Sequence, residues 1–151
     1  MKLKALVGNG EKIGLLVLPV LAIGLILNIL FPSAFSVGGP PAFLRLFSVA
    51  VLIPGVVVWI WSVVLILTKV PKKQLITSGP YALVKHPLYT GVALLVLPWV
   101  GFLLNTWLGA LVGITLYAGS RMFAPREEQE LSKAFGAAWV NYAGAVRIPW
   151  L

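Results

Sequence analysis

Two short polar segments of this chain contain the residues whose types could do chemistry. The first, residues 75–91, reads LITSGPYALVKHPLYTG and contains His86, the one histidine of the sequence. The second contains Glu127 and Glu128, two of the four acids. An imidazole can transfer a proton, and two adjacent carboxylates can accept hydrogen bonds from a ribose, an amine or an adenine edge. We therefore predict that the two segments meet at one site.

Both segments also have a purely structural interpretation. Residues 75–91 could be an interfacial linker that anchors to lipid headgroups, and the glutamates could complement the dipole of a helix that begins at Pro125. Glu128, however, precedes Leu131 by three residues and Phe135 by seven, so it is predicted on the packed face of that helix. This position favours a site over a solvated helix end.

The elements that position these segments are predicted to lie in a membrane. The chain has 151 residues, of which 60% are hydrophobic and only 11% are charged, whereas about 25% are charged in soluble domains. We therefore predict an integral membrane protein with a single domain, residues 1–151. The formal net charge of +8 is assigned to topology and lipid headgroups rather than to nucleic acid, because no basic stripe with interleaved aromatic residues is present.

Several kinds of chemistry are excluded by what the sequence lacks. The absence of cysteine excludes a thiolate nucleophile, a disulfide framework and a cysteine metal site, and we predict no metal site. No Asp, Glu, Lys, Arg or His lies inside the predicted spans, although proton-coupled transporters and pumps depend on such residues. The chemistry is therefore expected at the cytoplasmic surface of the membrane.

Four apolar segments are predicted to cross the membrane as helices: residues 13–31, 46–67, 89–104 and 107–120. The first two are long enough to span about 30 Å of hydrocarbon. The last two divide an uncharged stretch at Asn105 and Thr106, and each would stand nearly upright or thin the bilayer locally. The alternative for this stretch is one long, tilted helix.

The distribution of basic residues decides between four spans and three. With four spans, the N-terminus with Lys2 and Lys4, residues 69–87 and the C-terminal tail share one side, which then holds all 12 Lys and Arg residues except Arg45. With three spans, the basic residues of the tail would be translocated, against the positive-inside tendency. We therefore predict four spans with both termini cytoplasmic, in the plasma membrane of a prokaryote or the endoplasmic reticulum of a eukaryote.

The C-terminal tail, residues 125–151, is predicted to cover the site. A helix over residues 125–139 would begin with Pro125, carry acids in its first turn and align its apolar residues along one stripe. Such a helix is amphipathic and is expected to lie against the membrane or the helix bundle.

The two polar segments together resemble the C-terminal signature of a known group of enzymes. GPYALVKHPLYTG and REEQELSKAFGAAWVNYAGAVRIP are similar, in their order and separation, to the motifs of the isoprenylcysteine carboxyl methyltransferase and phospholipid methyltransferase superfamily of small membrane enzymes. The resemblance covers about residues 75–149. It implies S-adenosyl-L-methionine as the cofactor, held beneath the C-terminal tail.

The resemblance also implies the residues that bind the cofactor and the acceptor. On the matching positions, the cofactor-binding set is Leu75, Ile76, Tyr81, His86, Pro87, Leu88, Tyr89, Glu127 and Glu128. Family members carry an arginine shortly before the glutamate pair that positions the acceptor, and Arg121 and Arg126 are the two candidates here. Lys85 stands where the family usually has arginine. Membrane sterol reductases, which use NADPH, have a related pattern with an Arg-Asp pair in place of the two glutamates.

The sequence thus predicts an all-α integral membrane protein with about four transmembrane helices and a C-terminal amphipathic helix over a cytoplasmic cofactor site. The predicted activity is S-adenosylmethionine-dependent methyl transfer to a lipophilic acceptor from the bilayer. The favoured acceptor is the carboxylate of an isoprenylated cysteine or a similar lipid acid, because a carboxylate is nucleophilic at pH 7 without a base. The alternatives are a phosphatidylethanolamine-type phospholipid N-methyltransferase, an NADPH-dependent sterol-type reductase and a non-enzymatic membrane scaffold. Membrane lipids are the expected partners, and nucleic acid is not.

Overall fold

A computed structural model of the chain describes residues 10–149 and residue 151, and the regular structure of this part is helical. Lys2 and Lys4, which the charge argument uses, lie outside the described residues. The α-helices are α1 (Gly10–Leu30), α2 (Pro32–Phe35), α3 (Ala42–Lys69), α4 (Pro87–Leu103), α5 (Leu108–Phe135) and α6 (Ala137–Ala145). Two short 3-10 helices, Val70–Lys72 and Gly79–Ala82, lie in the linker between α3 and α4.

Helices α1 and α3 are long and apolar enough to cross a membrane by length and composition. They cover the first two predicted spans except for Phe31, because uncharged runs of this length end only where loop residues and lysines interrupt them. Their large apolar side chains face outward: Ile29 is 75% exposed and Phe43 is 74% exposed. So much exposed apolar surface is typical of lipid contact rather than of water contact. The protein is therefore a membrane protein, and the crossing of α4 and α5 stays a prediction.

Helix α4 contains one wider, π-helical turn at Val92–Val96, which ends two residues before Pro98. Pro98 has no backbone N–H, so the carbonyl group of Leu94 loses the hydrogen bond that a regular helix would give it. The indole of Trp99 replaces it, since Nε1 donates to the Leu94 oxygen at 3.0 Å. The proline thus widens α4 locally without ending it.

Helix α5 corrects the prediction that the last span ends near Ser120 and that a new helix covers residues 125–139. Residues Leu108–Phe135 form one continuous helix of 28 residues with Pro125 inside it, and the break lies at Gly136. Pro125 and Arg121 are both exposed, so the carbonyl group that the proline leaves without a donor lies at the surface of the bundle. A single lost hydrogen bond there does not stop the helix.

The bundle is held together by close approaches of small residues. Helix α5 packs against both α1 and α4, and α4 packs against α3. A Cβ atom added to Gly55 of α3 would lie 2.6 Å from the Leu95 carbonyl oxygen of α4, and one added to Gly101 would lie 2.9 Å from Gly109 of α5. Small residues at such crossings let helix backbones approach closely, as they do in membrane bundles.

The connections lie at opposite ends of the bundle. At one end, the Asn105 side chain accepts a hydrogen bond from Gly39 N at 2.8 Å and donates to Ser36 Oγ at 3.0 Å, and Phe35 stacks on Trp107 with ring centroids 4.5 Å apart. These contacts tie the α1–α3 connection to the α4–α5 connection. The α3–α4 linker lies at the other end, with the last part of α5 and α6.

Candidate active site

A cavity of about 360 Å³ lies at the end of the bundle that holds the α3–α4 linker. Its walls come from the first residue of α1, the end of α3, the linker, the start of α4, the last part of α5 and α6. Its lining residues are Gly10, Val63, Ile66, Leu67, Val70, Lys73, Gln74, Leu75, Ile76, Tyr81, Lys85, His86, Leu88, Tyr89, Glu127, Leu131, Phe135, Trp139 and Tyr142. The volume is within the range of about 300–1,000 Å³ that small-molecule sites occupy.

The linker reaches the cavity through two residues with positive φ. Lys73, with φ of +54°, turns the chain after the first 3-10 helix, and Gly79, with φ of +63°, opens the second. A Cβ atom at Gly79 would lie 2.9 Å from the Trp61 ring, so this turn requires glycine both for its conformation and for its contact with α3. The fully buried Pro87 then begins α4, which fixes His86 at the cavity wall.

Helix α6 closes the cavity from the C-terminal side. Gly136, with φ of +53°, ends α5 and separates it from α6, whose buried Trp139 and Tyr142 pack with Val146 against Leu75. This packing joins the C-terminal segment to the linker. The sequence alone did not predict which linker residue the segment would contact.

Hydrogen bonds to the linker come from α6 and from the segment that follows it. The Tyr142 hydroxyl donates to the Tyr81 carbonyl oxygen at 2.8 Å, and Ile148 N donates to the Leu83 oxygen at 2.8 Å. The segment after α6 therefore runs along the second 3-10 helix of the linker. The C-terminal residues that line the cavity come from both α5 and α6: Glu127, Leu131, Phe135, Trp139 and Tyr142. That this tail covers a cofactor stays a prediction.

Glu128 joins α5 to the linker. Its Oε2 lies 2.9 Å from Lys85 Nζ and its Oε1 lies 3.4 Å from His86 Nε2. Hydrogen bonds from His86 and from Lys85, together with the lysine charge, lower the pKa of the Glu128 carboxyl to about 2, although partial burial acts in the opposite direction. Glu128 is thus a carboxylate at every physiological pH and has a partner for each oxygen.

Glu127 has a different environment although it is the adjacent residue. It lines the cavity, and no hydrogen bond or ion pair joins its carboxylate to another residue of the described part of the chain. Burial raises the pKa of the Glu127 carboxyl, and the positive charge of a protonated His86 opposes this effect. Glu127 therefore offers a desolvated acceptor to whatever occupies the cavity.

Tyr81 of the linker and Tyr142 of α6 remain neutral. Burial, followed by the nearby Glu127, raises the pKa of Tyr81, and burial followed by Glu128 raises the pKa of Tyr142 to about 12. Their hydroxyls can therefore donate hydrogen bonds, and their rings supply apolar walls.

The structure brings most of the predicted cofactor-binding residues to this one cavity. Those that line it are Leu75, Ile76, Tyr81, His86, Leu88, Tyr89 and Glu127. Pro87 and Glu128 adjoin the lining without being part of it. The exposed Arg121 and Arg126 also lie outside the lining. That any of these residues binds a cofactor or an acceptor stays a prediction.

Sequence reasoning missed the walls that come from α3 and α6. Val63, Ile66 and Leu67 were assigned only to a span, Trp139 only to an apolar stripe, and Tyr142 only to the C-terminal motif. A signal was present for α6, because an aromatic pair three residues apart after a Gly136 break indicates one packed face. No signal marked the α3 residues, since their type is common to every span.

Taken together, the helical membrane fold and the terminal cavity define a small membrane protein with a built site for a small molecule. Residues 43–133, more than half of the chain, match the sequence model of the isoprenylcysteine carboxyl methyltransferase (ICMT) family. The chain belongs to this family, and it is a membrane methyltransferase. The suspected resemblance is thereby confirmed. Comparisons with curated proteins and with solved structures gave no match.

Proposed function

We propose that the protein transfers a methyl group from S-adenosyl-L-methionine to a lipophilic acceptor, most readily a carboxylate such as that of an isoprenylated cysteine or a similar lipid acid. The observation that carries the proposal is Glu127, a carboxylate without a protein partner in the described chain, facing a cavity with aromatic and aliphatic walls. A buried carboxylate is costly unless a ligand pairs with it. A ligand with cationic groups and hydroxyls fits this requirement.

The side chains of the cavity fit S-adenosylmethionine. Its sulfonium and ammonium groups are cations and its ribose has hydroxyl donors, all of which suit Glu127. Tyr81, Tyr89 and Trp139 supply aromatic faces for an adenine ring or a sulfonium. Lys73, exposed at the rim, is a partner for the carboxylate of the amino-acid moiety. When bound, the cofactor would supply an activated methyl group.

The protein residues would then bind, orient and exclude water. Trp139 and Tyr142 cover the cavity from α6, and Tyr142 is anchored to the linker by its hydrogen bond. The α3 side of the cavity is apolar, and its Leu67 is 63% exposed at the surface of the helix. A lipid tail could lie along the α3 side of the cavity. Its binding there would align the acceptor head group with the methyl donor. Rate enhancement would come mainly from this alignment in a desolvated site.

A carboxylate acceptor demands the least from the side chains present. It is already ionised at neutral pH, so no base must remove a proton. Arg121 or Arg126 would hold it by a forked contact after the lipid is in place. The exposure of both arginines in the ligand-free molecule means that one of them must turn toward the cavity when the acceptor binds.

One observation favours a second candidate, methylation of a phospholipid amine. A lipid amine must lose a proton before it attacks, and His86 lines the cavity with Glu128 behind it, 3.4 Å away, so that His86 could take this proton. An NADPH-dependent reductase fits less well. Recognition of its 2′-phosphate usually uses arginine, and no arginine is present among the cavity residues of the described chain.

Calorimetry of the detergent-purified protein tests the proposal directly. We expect binding of S-adenosylmethionine and S-adenosylhomocysteine and none of NADPH. Binding of NADPH alone would establish the reductase, and binding of none of the three would favour a scaffold.

A methyl-labelled cofactor, incubated with membranes that contain the protein, then separates the acceptors. Label in a base-labile product and a chemical step that changes little from about pH 6 to 9 indicate a carboxylate, which stays ionised across that range. Base-stable product with a rate that rises steeply with pH indicates an amine.

A further inference from the structure

The adjacent glutamates of α5 have opposite relations to the cavity. Glu127 lines it and has no partner within residues 10–149, whereas both oxygens of Glu128 have partners on the linker. A ligand that bound Glu128 directly would have to displace Lys85 or His86 from it. A ligand that binds Glu127 displaces nothing from the protein.

The contact of Glu128 with His86 selects the tautomer of the neutral ring. A carboxylate oxygen accepts hydrogen bonds, so a favourable contact at 3.4 Å requires that His86 Nε2 carries the proton. In the neutral ring, Nδ1 is then an acceptor. No residue of the described chain forms a hydrogen bond with Nδ1, and His86 lines the cavity.

The Lys85 contact determines which residue each oxygen of the Glu128 carboxylate faces. Lys85 Nζ at 2.9 Å holds Oε2 and compensates its charge, so that Oε1 is directed to the histidine. Lys85 and His86 are consecutive and are followed by the buried Pro87, which limits the movement of both. One carboxylate on α5 thereby orients the ring at the wall of the cavity.

We propose that Glu128 is a positioning residue, which holds His86 in the Nε2–H form with Nδ1 available to the ligand, and that Glu127 is the glutamate that contacts the ligand. The identity of the ligand as S-adenosylmethionine rests on the proposed function. The assignment of roles within the glutamate pair rests on the contacts alone. It gives different roles to two adjacent glutamates that the sequence does not distinguish.

The single histidine of the chain makes the proposal measurable. In ¹⁵N-histidine-labelled protein at alkaline pH, where the imidazole is neutral, the two nitrogen signals of His86 report its tautomer. We expect the Nε2–H form in the wild-type protein without ligand. The Nδ1–H form in the wild-type protein would overturn the proposal without the need for any variant.

Three isosteric variants of one helix then form a matched series. In Glu128→Gln, Lys85 attracts the amide oxygen and the NH₂ group faces Nε2, so we expect the Nδ1–H form to appear. Glu127→Gln and the control Glu130→Gln, a change at an exposed acid of the same helix, should leave the tautomer unchanged. An unchanged His86 signal in Glu128→Gln, or a changed tautomer in Glu127→Gln, would overturn the division of roles.

Ligand binding supplies the second measurement. Saturation of the wild-type protein with S-adenosylhomocysteine should leave His86 in the Nε2–H form, because Glu128 is not displaced. Glu127→Gln should lower the affinity about 10-fold or more, the scale of one charge-assisted hydrogen bond, and Glu128→Gln should lower it less. A tautomer change on saturation, or a larger loss in Glu128→Gln, contradicts the proposal. If the wild-type protein binds neither S-adenosyl compound, the proposed function fails, and the tautomer series still decides the role of Glu128.

Discussion

Replacing Glu127 by glutamine should stabilise the ligand-free protein while it weakens ligand binding. The carboxylate is half-buried at the cavity wall, has no protein partner in the described chain, and has a raised pKa because of its burial. A carboxyl whose pKa is higher in the folded than in the unfolded state makes the folded state bind more protons. Stability is therefore greatest at low pH and falls as the pH rises through the folded-state pKa.

The sign of the effect near neutral pH follows from that linkage. A carboxyl whose pKa is raised on folding destabilises the folded state once the pH exceeds the folded-state pKa. Glutamine keeps the shape and removes the charge, so we expect a gain in stability near pH 7.5 of about 1–2 kcal/mol, within the range that single stabilising substitutions commonly give. For a chain of this size the gain corresponds to an increase of about 2–8 °C in Tm.

Thermal unfolding in detergent between about pH 4 and 8 is a suitable assay, since it covers the range above the ordinary glutamate pKa of about 4.3. The wild-type Tm should fall with rising pH more steeply than that of Glu127→Gln. The exposed Glu130→Gln removes one of the charges that raise the Glu127 pKa, so it should reduce the pH dependence less than Glu127→Gln does. With saturating S-adenosylhomocysteine the order should reverse, because the wild type gains more from binding. A Glu127→Gln protein that is less stable than the wild type without ligand would refute the reasoning, since it would mean that the carboxylate is paired.

The neighbouring Glu128 should show the opposite sign. Its pKa is lowered to about 2, so its contribution to stability is present at neutral pH and is lost as the pH falls from about 4.5 toward 2. Because the side chain is 26% exposed, solvent screening reduces the effect, and Glu128→Gln should cost about 1–3 kcal/mol at pH 7. Equal and same-signed effects of the two glutamine substitutions would contradict the geometry of the pair.

Three further predictions concern packing, closure and topology. Gly55→Ala should destabilise the bundle by about 1–3 kcal/mol in thermal unfolding, because its Cβ meets the α4 backbone, whereas Gly14→Ala, with open space around it, should not; equal Tm values would contradict the close approach. Tyr142→Phe should cost about 1 kcal/mol and weaken S-adenosylhomocysteine binding, because α6 loses its hydrogen bond to the linker; unchanged affinity would separate α6 from the site. In this cysteine-free chain, a cysteine at Asn105 should react with an impermeant thiol reagent from outside and one at Gln129 should not; the reverse pattern would exclude the four-span topology.

The long helices could be predicted from the sequence because their signals are simple. An uncharged run continues until lysines or a cluster of glycine and proline end it, and α1 and α3 follow this rule within a few residues. Pro125 gave the wrong boundary for α5 because proline is common at a helix start but is also tolerated inside a helix at an exposed position. Only the packing around α5 distinguishes the two cases, and it is not visible in a local pattern.

The meeting of the two polar segments could be predicted, but the roles within the glutamate pair could not. Helical periodicity places Glu128 on the face of Leu131, at a spacing of three, and places Glu127 on the same face, at a spacing of four. A period of 3.6 cannot choose between these spacings. The choice comes from a contact across the fold: Lys85 binds Glu128 at 2.9 Å and turns it to the linker, so Glu127 is left at the cavity wall. A pair of like residues in sequence thus becomes one structural contact and one free acceptor only when the linker folds against α5.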